Sequence, residues 1–320
     1  ATEQAIIAHK DVYAPLVKEL KRRKAYFVNA DEKAKLEQYM FGCTAGSGQK
    51  PVLNSVVPGK SPQFIAKAAG FEGIGLRAET YVDALAEGLH DEDILAILKK
   101  YDIAVTEVEY ITLWAEDHRS YEQMYKEQIC FHMCDLFGVN HINCGLMETY
   151  SVEHTAQKLR ELCQRAGKYT IGVEPMPYSG IPDVRTAWAI VKGSGAENAK
   201  LILDSWHWIR ANQPFDQSLL ADIPADKIVS IQLNDVLPRA YAKAILRDES
   251  MHDRCPSGQG IGITADFLKM IKAKGISPKV VGVEVINDEI LSTGVANAAK
   301  VNFEATQEVL KAAWPEMAAE

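Results

Sequence analysis

Eight short apolar runs of β-type composition, each followed by a stretch of helical period, succeed one another from residue 50 to the last helix of this 320-residue chain. No other feature narrows the fold as much. The strand-like runs are "KPVLNSVV" (50–57), "FEGIGLRAE" (71–79), "IAVTEVEYI" (103–111), "VNHINCGLM" (139–147), "YTIGVEPMP" (169–177), "AKLILDSWHW" (199–208), "KIVSIQLNDV" (227–236) and "KVVGVEVIN" (279–287). Eight β–α units in series are the sequence form of an α/β fold of the (β/α)8 TIM-barrel type. A doubly wound sheet usually has fewer strands and often a glycine-rich first turn, and no GxGxxG opens a helix here. Residues 1–49 precede the count. Two helical stretches and the joint "GCTAGSGQK" read as an N-terminal helical arm, packed on the barrel or on a sister subunit, with a lid over the site as the alternative. The expected division is this arm over 1–49 and a TIM-barrel catalytic domain over 50–320.

A composition of 47% hydrophobic and 24% charged residues is that of a folded soluble protein. The net charge of -8 argues against a nucleic-acid surface, which needs a basic face, so a small molecule is the expected partner. The cysteines, at 43, 130, 134, 144, 163 and 255, form no CxxC pair and mostly lie in apolar contexts, which reads as free thiols in a reduced, cytoplasmic compartment. No apolar stretch is long enough to span a bilayer, and no basic-then-apolar segment of secretory type begins the sequence.

In a barrel of this type the chemistry sits at the C-terminal ends of the strands. "KLILDSWHW" is an aliphatic run that stops at Asp204 and His207, two groups costly to bury without partners. The same pattern of polar residues ending apolar strands gives Glu174 in "YTIGVEPMP", Gln232 with Asn234 and Asp235 in "IVSIQLNDV", and Glu284 in "VVGVEVIN". Three carboxylates converging on one mouth repel one another unless a cation neutralises them. A divalent metal does so, and an all-oxygen donor set favours Mg2+ or Mn2+.

Taken together, Glu174, Asp204, Gln232 and Glu284, the "DSWH" that places His207 after the aspartate, and "DRCPSGQG" ahead of a helix resemble the xylose isomerase-like barrel superfamily over roughly residues 50–310. That group contains ketose 3-epimerases, inosose isomerases and dehydratases, 3-dehydroshikimate dehydratases and family 2 apurinic endonucleases. The resemblance implies that Glu174, Asp204, Gln232 and Glu284 hold one divalent ion, Mn2+ or Mg2+, that His207 binds a substrate oxygen, and that Arg254 reaches the substrate. Gln232 stands where such barrels commonly carry histidine. An apurinic endonuclease would need more strand-end histidines and a basic groove, and the sequence has neither.

The expected activity is that of a metal-dependent isomerase or epimerase of a ketose, keto-cyclitol or similar polyhydroxy carbonyl compound, with Glu174 and Glu284 as acid and base on opposite faces of a planar intermediate. The alternative is a lyase, which expels a β leaving group and needs an acid beside it; Glu148, in "GLMET", and His207 are candidates. Trp114 is expected to wall the pocket or to pack under a loop. Arg210 and Arg254 allow an anionic substrate. His141 precedes its strand and so reads as structural, and Cys130 and Cys134 read as core. The arm and the long 236–253 loop are the surfaces a homo-oligomer or a partner subunit would use.

Overall fold

A computed structural model describes residues 62–242 and 245–318, together with the single residue Lys18. The helical arm expected over 1–49 and the first strand expected over 50–57 lie outside the described residues. The architecture that follows belongs to the unit Pro51–Glu320.

Seven parallel strands pair in chain order: β1 (Gly73–Arg77), β2 (Ala104–Ile111), β3 (His141–Cys144), β4 (Thr170–Val173), β5 (Ala199–Asp204), β6 (Ile228–Leu233) and β7 (Val280–Val283). Helices cover their outer face: α1 (Pro62–Ala69), α2 (Ala78–Ala86), α3 (Asp91–Tyr101), α4 (Tyr121–Phe137), α5 (Val152–Ala166), α6 (Val184–Ser194), α7 (Ser205–Arg210), α8 (Leu246–His252), α9 (Ile263–Ala273), α10 (Asp288–Ser292) and α11 (Val295–Ala313). This is the nearly closed wall of a (β/α)8 TIM barrel. Among the described residues β1 and β7 pair with one neighbour each and leave a seam between them.

Local chemistry explains where the helices begin and stop. Ser120 and Gln123 form a capping box at the start of α4, with Ser120 Oγ accepting from Gln123 N at 3.2 Å and Ser120 N donating to Gln123 Oε1 at 2.6 Å. The helix ends at Gly138, whose φ of 70° is left-handed. Asp183 caps α6 through Thr186 N at 2.8 Å.

Two boundaries differ from the sequence reading. The run "AKLILDSWHW" is not strand throughout: it turns helical at Ser205, because the Asp204 side chain caps His207 N at 2.8 Å and starts α7. The stretch after β1 holds α2, which follows Arg77 without a loop. The 236–253 loop is also not structureless, since α8 forms inside it.

The apolar core lies between sheet and helices, on residues such as Val108, Ile142, Ile171, Leu201 and Ile231. Strands β3, β5 and β6 are almost wholly buried, as parallel strands covered on both faces must be. The inner face of the sheet is polar: Glu107 of β2, Asn143 of β3, and Ser230 and Gln232 of β6 are all buried. Alternation along β2 sends Glu107 and Glu109 to the same inner face, with Val108 packed outside. The described cysteines are free and mostly buried, and burial pushes the Cys134 and Cys163 thiols up to about 12, which keeps them unreactive.

Gly180 joins the ends of two strands. Its N–H donates to Leu146 O at 2.8 Å, and a Cβ added there would stand 1.8 Å from the Glu148 carbonyl oxygen. Because the obstacle is backbone, Gly180→Ala must displace the main chain beyond β3 or β4. The expected loss is about 1–3 kcal/mol, read as a lowered midpoint in thermal or urea unfolding. An unchanged midpoint would show that the segment moves freely.

Candidate active site

Asp204, the last residue of β5, is buried with both oxygens occupied. Oδ1 accepts from His207 N at 2.8 Å, while Oδ2 accepts from Asn234 Nδ2 at 2.7 Å and from Arg254 Nη1 at 3.0 Å. These bonds explain how an aliphatic strand can end in a charge. Burial raises the carboxyl above its usual range, and Arg254 and then His207 pull it back.

Arg254 is equally buried and holds the cluster together. Its Nε donates to Ser250 O at 2.8 Å, Nη2 donates to Ser250 Oγ at 2.8 Å, and Nη2 lies 3.3 Å from His207 Nε2. Nη1 also stands 3.4 Å from Glu284 Oε2. Burial works against the guanidinium charge, but Glu284 and Asp204 outweigh it and fix the proton. The ring of Trp206 lies under Arg254 at 5.6 Å, and Tyr178 meets His207 edge-on at 5.7 Å. Ser250 belongs to α8, so the 236–253 loop reaches the site through it. The loop is pinned by the ion pair between Arg210 and the fully buried Glu249, and by Tyr178 Oη at 3.1 Å from Ser250 Oγ.

Glu174 follows β4 and is also buried. The Tyr110 hydroxyl hydrogen-bonds it, and His207 Nε2 lies 3.3 Å from its Oε1. Burial holds its carboxyl above the ordinary value against the pull of Arg254 and Tyr110. His207 is pushed down to about 4, chiefly by burial, so its ring is neutral between an acceptor and a donor.

Glu284 and Gln232 are differently placed. Gln232 pairs in register with Asp204 on one side and Gly282 on the other. Its buried Oε1 has no hydrogen-bond partner among the described residues, whereas Oε2 of Glu284 has Arg254 Nη1 at 3.4 Å. Both side chains border the gap that the described residues leave between β1 and β7. Glu107 and Glu109 line it as well; Glu174 and Asp204 do not.

The two β2 glutamates are the part of the site that the sequence reading missed. Asn143 Nδ2 donates to both, at 3.0 Å to Glu107 Oε2 and 2.8 Å to Glu109 Oε1. Glu107 is further held by Ser230 Oγ at 3.3 Å and lies 3.4 Å from the Nε2 of His141, which is the first residue of β3 and not ahead of it. Glu109 is pushed up to about 8 by burial and then by Glu107 and Glu284. The signal was present in "TEVEY", where acids two apart on an apolar strand must share a face.

The residues singled out from sequence thus separate into two groups. Glu174, Asp204, His207, Arg254 and Glu284 form one connected cluster, with Gln232 beside Asp204 in the sheet. Trp114 and Glu148 make no hydrogen bond or ion pair with it among the described residues. Trp114 is buried in the main core, its indole N–H donated to Gly145 O at 2.9 Å, so it packs beneath a loop. Glu148 is half-buried, with its Oε2 unpartnered. Arg254 has each of its nitrogens engaged by protein groups, and it organises Asp204 and His207.

Residues 64–313 match the family described as xylose isomerase-like TIM barrel, and the chain belongs to that family. A stretch of 136 residues, 42% of this chain, is 33% identical to the 3-dehydroshikimate dehydratase of Pseudomonas aeruginosa and covers 20% of it. Another likeness, 46% identity over 74 residues or 22% of this chain, is to aldehyde-alcohol dehydrogenase 2 of Entamoeba histolytica, of which it covers 8%. The chain therefore spans a fifth or less of the length of these relatives. Similar solved structures include an IolI protein with a bound zinc atom (TM-score 0.68, 19% identity, 78% of this chain and 92% of that one). The probable 3-DHS dehydratase AsbF of Bacillus anthracis is also similar (TM-score 0.63, 14% identity, 76% and 91%), as is an L-ribulose 3-epimerase (TM-score 0.56, 15% identity, 78% and 88%). At these identities the structures speak for the fold alone. Among the described residues no helix is long and apolar enough to cross a membrane.

The neutral imidazole of His207 has a measurable consequence for stability. The unfolded chain takes up this proton near 6.5, whereas the folded protein does so only near 4. Nothing is lost above the first value, and stability falls as pH drops from the first toward the second, by at most about 1.4 kcal/mol per pH unit. Urea midpoints at pH 7 and 5 should show this part of the slope in the wild type and not in His207→Gln; equal slopes would sink it.

Proposed function

We propose that the chain is a divalent-metal-dependent lyase that removes water from a polyhydroxy keto-acid of the dehydroshikimate class. The observation that carries this reading is the asymmetry of the two glutamates. Epimerisation needs acid–base groups on both faces of a planar intermediate. Here the Glu284 side chain is 34% exposed, with Arg254 Nη1 3.4 Å from its Oε2, while the Glu174 side chain is 8% exposed and is engaged by Tyr110 and the neighbourhood of His207. One accessible base suits elimination better than inversion. The sequence likeness to a 3-dehydroshikimate dehydratase supports the same choice. So does Arg77, the last residue of β1, whose side chain is 47% exposed and whose nearest acid, Glu79, is 3.9 Å away; it is the cation an anionic substrate would meet near Glu109, its register partner.

The donor set fits a divalent ion. Glu107, Glu109, Glu174, Asp204 and Glu284 interact electrostatically, and among the described residues the fully buried Arg254 and the half-exposed Arg77 are cations that offset them. The unpartnered oxygen of Gln232 is a suitable ligand, and Glu284, Glu174 and Asp204 would complete the set by giving up some present ion pairs and hydrogen bonds. Among the described residues no three His, Cys, Asp or Glu side chains converge on one position, so binding entails rearrangement around Arg254. When bound, such an ion polarises the substrate carbonyl and makes the adjacent proton acidic. Glu284 then removes that proton, His207 presents a neutral ring to a substrate oxygen, and Tyr178 and Trp206 close the wall around His207.

Chelation should abolish water loss from 3-dehydroshikimate, and Mn2+ or Mg2+ should restore it. Gln232→His replaces a neutral oxygen ligand with a neutral nitrogen ligand and should raise the Zn2+-to-Mn2+ affinity ratio of the apo protein. If the ratio does not rise, Gln232 is not a ligand. Should the protein wash solvent deuterium into ketoses and never form an elimination product, the epimerase reading replaces the lyase.

A further inference from the structure

The indole ring of Trp206 lies where α7 meets the segment that follows β6. We propose that Trp206 is a positioning residue for the reaction, one whose π face holds the guanidinium of Arg254 in the place from which it engages Asp204 and His207; the assignment rests on the reading above, which puts His207 and Glu284 at the substrate.

Trp206 is fully buried, and two guanidinium groups lie over its ring, Arg254 with Cζ 5.6 Å from the ring centroid and Arg210 with Cζ 5.8 Å from it. Helical geometry accounts for one of them: Arg210 stands four positions on in α7, about one turn away. The other arrives from just beyond α8. The two side chains are 8% and 2% exposed, Arg210 and Arg254 respectively. Attraction of a cation to a ring face is strongest under these conditions, because water no longer competes for the charge. Around the same ring stand Tyr178 at 6.3 Å and His207 at 5.3 Å, with Val236, Leu246 and Ile263 in the same buried cluster.

The buried indole N–H has no hydrogen-bond partner among the described residues. An aliphatic residue or a phenylalanine would fill this space without stranding a donor, so the indole carries a cost that its face offsets. What the face holds is the pair of arginines that anchors α8. Arg210 Nε donates to Glu249 Oε1 at 2.8 Å, and Arg254 donates to the next residue, Ser250, from Nε to O and from Nη2 to Oγ, both at 2.8 Å. The ring therefore sets two adjacent anchor points of α8 together. With them it sets the 3.0 Å contact of Arg254 Nη1 with Asp204 Oδ2 and the 3.3 Å approach of Nη2 to His207 Nε2. Misplacement of such a group by about 1 Å is sufficient to lower a rate by about 10²-fold.

Stepwise fluorination drains an indole face of negative charge with little change in its size, which separates this role from simple packing. Tryptophan and its mono-, di- and tetrafluoro derivatives are placed at position 206 alone by nonsense suppression, in protein carrying 15N-labelled arginine. Solvent exchange of the Arg254 Nε–H, assigned by its loss in Arg254→Lys, is measured by NMR, and kcat and KM are measured for water loss from 3-dehydroshikimate by the metal-loaded protein. Arg165, whose Nε donates to Glu127 Oε2 at 2.9 Å, is the internal control. The shape of the side chain is kept, so the fold should survive, as unfolding curves will show. Exchange at Arg254 should rise with each step, by about 2- to 30-fold over the series, while Arg165 does not respond. The value of kcat should fall along the same series with KM nearly unchanged, because the nitrogens of Arg254 are engaged by the protein rather than by the substrate. Exchange that stays flat across the series, or graded exchange with unchanged kcat, overturns the assignment and leaves the lyase reading standing. Wild-type protein that forms no product from 3-dehydroshikimate overturns the lyase reading; the rate is then taken from deuterium wash-in to ketoses, and a series flat in exchange or in rate overturns the assignment separately.

Discussion

The buried contact between Arg254 and Asp204 is the interaction on which the site depends. Two charges removed from water cost several kcal/mol each, and only close geometry with further hydrogen bonds makes such a pair tolerable. Every remaining lone pair and proton in reach is used: Asp204 also takes His207 N and Asn234, and Arg254 also gives to both oxygens of Ser250. Removing either partner leaves the other charged, buried and uncompensated. The same contact fixes the start of α7, the orientation of His207 and the position of the 236–253 loop, so local structure and site geometry share one cause.

Much of the fold was legible because it rests on periodicity. The seven described strands fall where apolar β-type runs were read; α4, α5, α6, α9 and α11 follow helical patterns, and α4, α5 and α6 carry recognisable side-chain caps. The misreading at "SWHWIR" has a clear origin: Trp, His and Ile suit a strand by propensity, and only the capping bond from Asp204 turns them into a helix. The unforeseen α8 has a similar explanation, since its register is set by tertiary pairing of Glu249 with Arg210 and of Ser250 with Arg254.

The site was legible at the strand ends and less so inside the barrel. Asp204, Glu174, His207, Arg254 and Glu284 meet, because polar residues ending apolar strands have few other places to go. Which of them is accessible and which is spent on neighbours depends on side-chain partners far apart in the chain. Tyr110 hydrogen-bonds Glu174 across 64 positions of sequence, a pairing no local pattern reveals. Trp114 illustrates the reverse: an aromatic near a strand end is equally suited to a pocket wall and to the core, and its bond to Gly145 O puts it in the core.

Asn143 has only two amide hydrogens, and it spends one on each of two carboxylates from the same strand. Positions 107, 109 and 143 are therefore not free to change one at a time. Replacing the asparagine by an apolar residue strands two acids, and replacing either acid alone leaves an amide hydrogen unmatched in the barrel interior. Passage from this interior to an aliphatic one would require concerted substitution, so in evolutionary terms the three residues form a single inherited character.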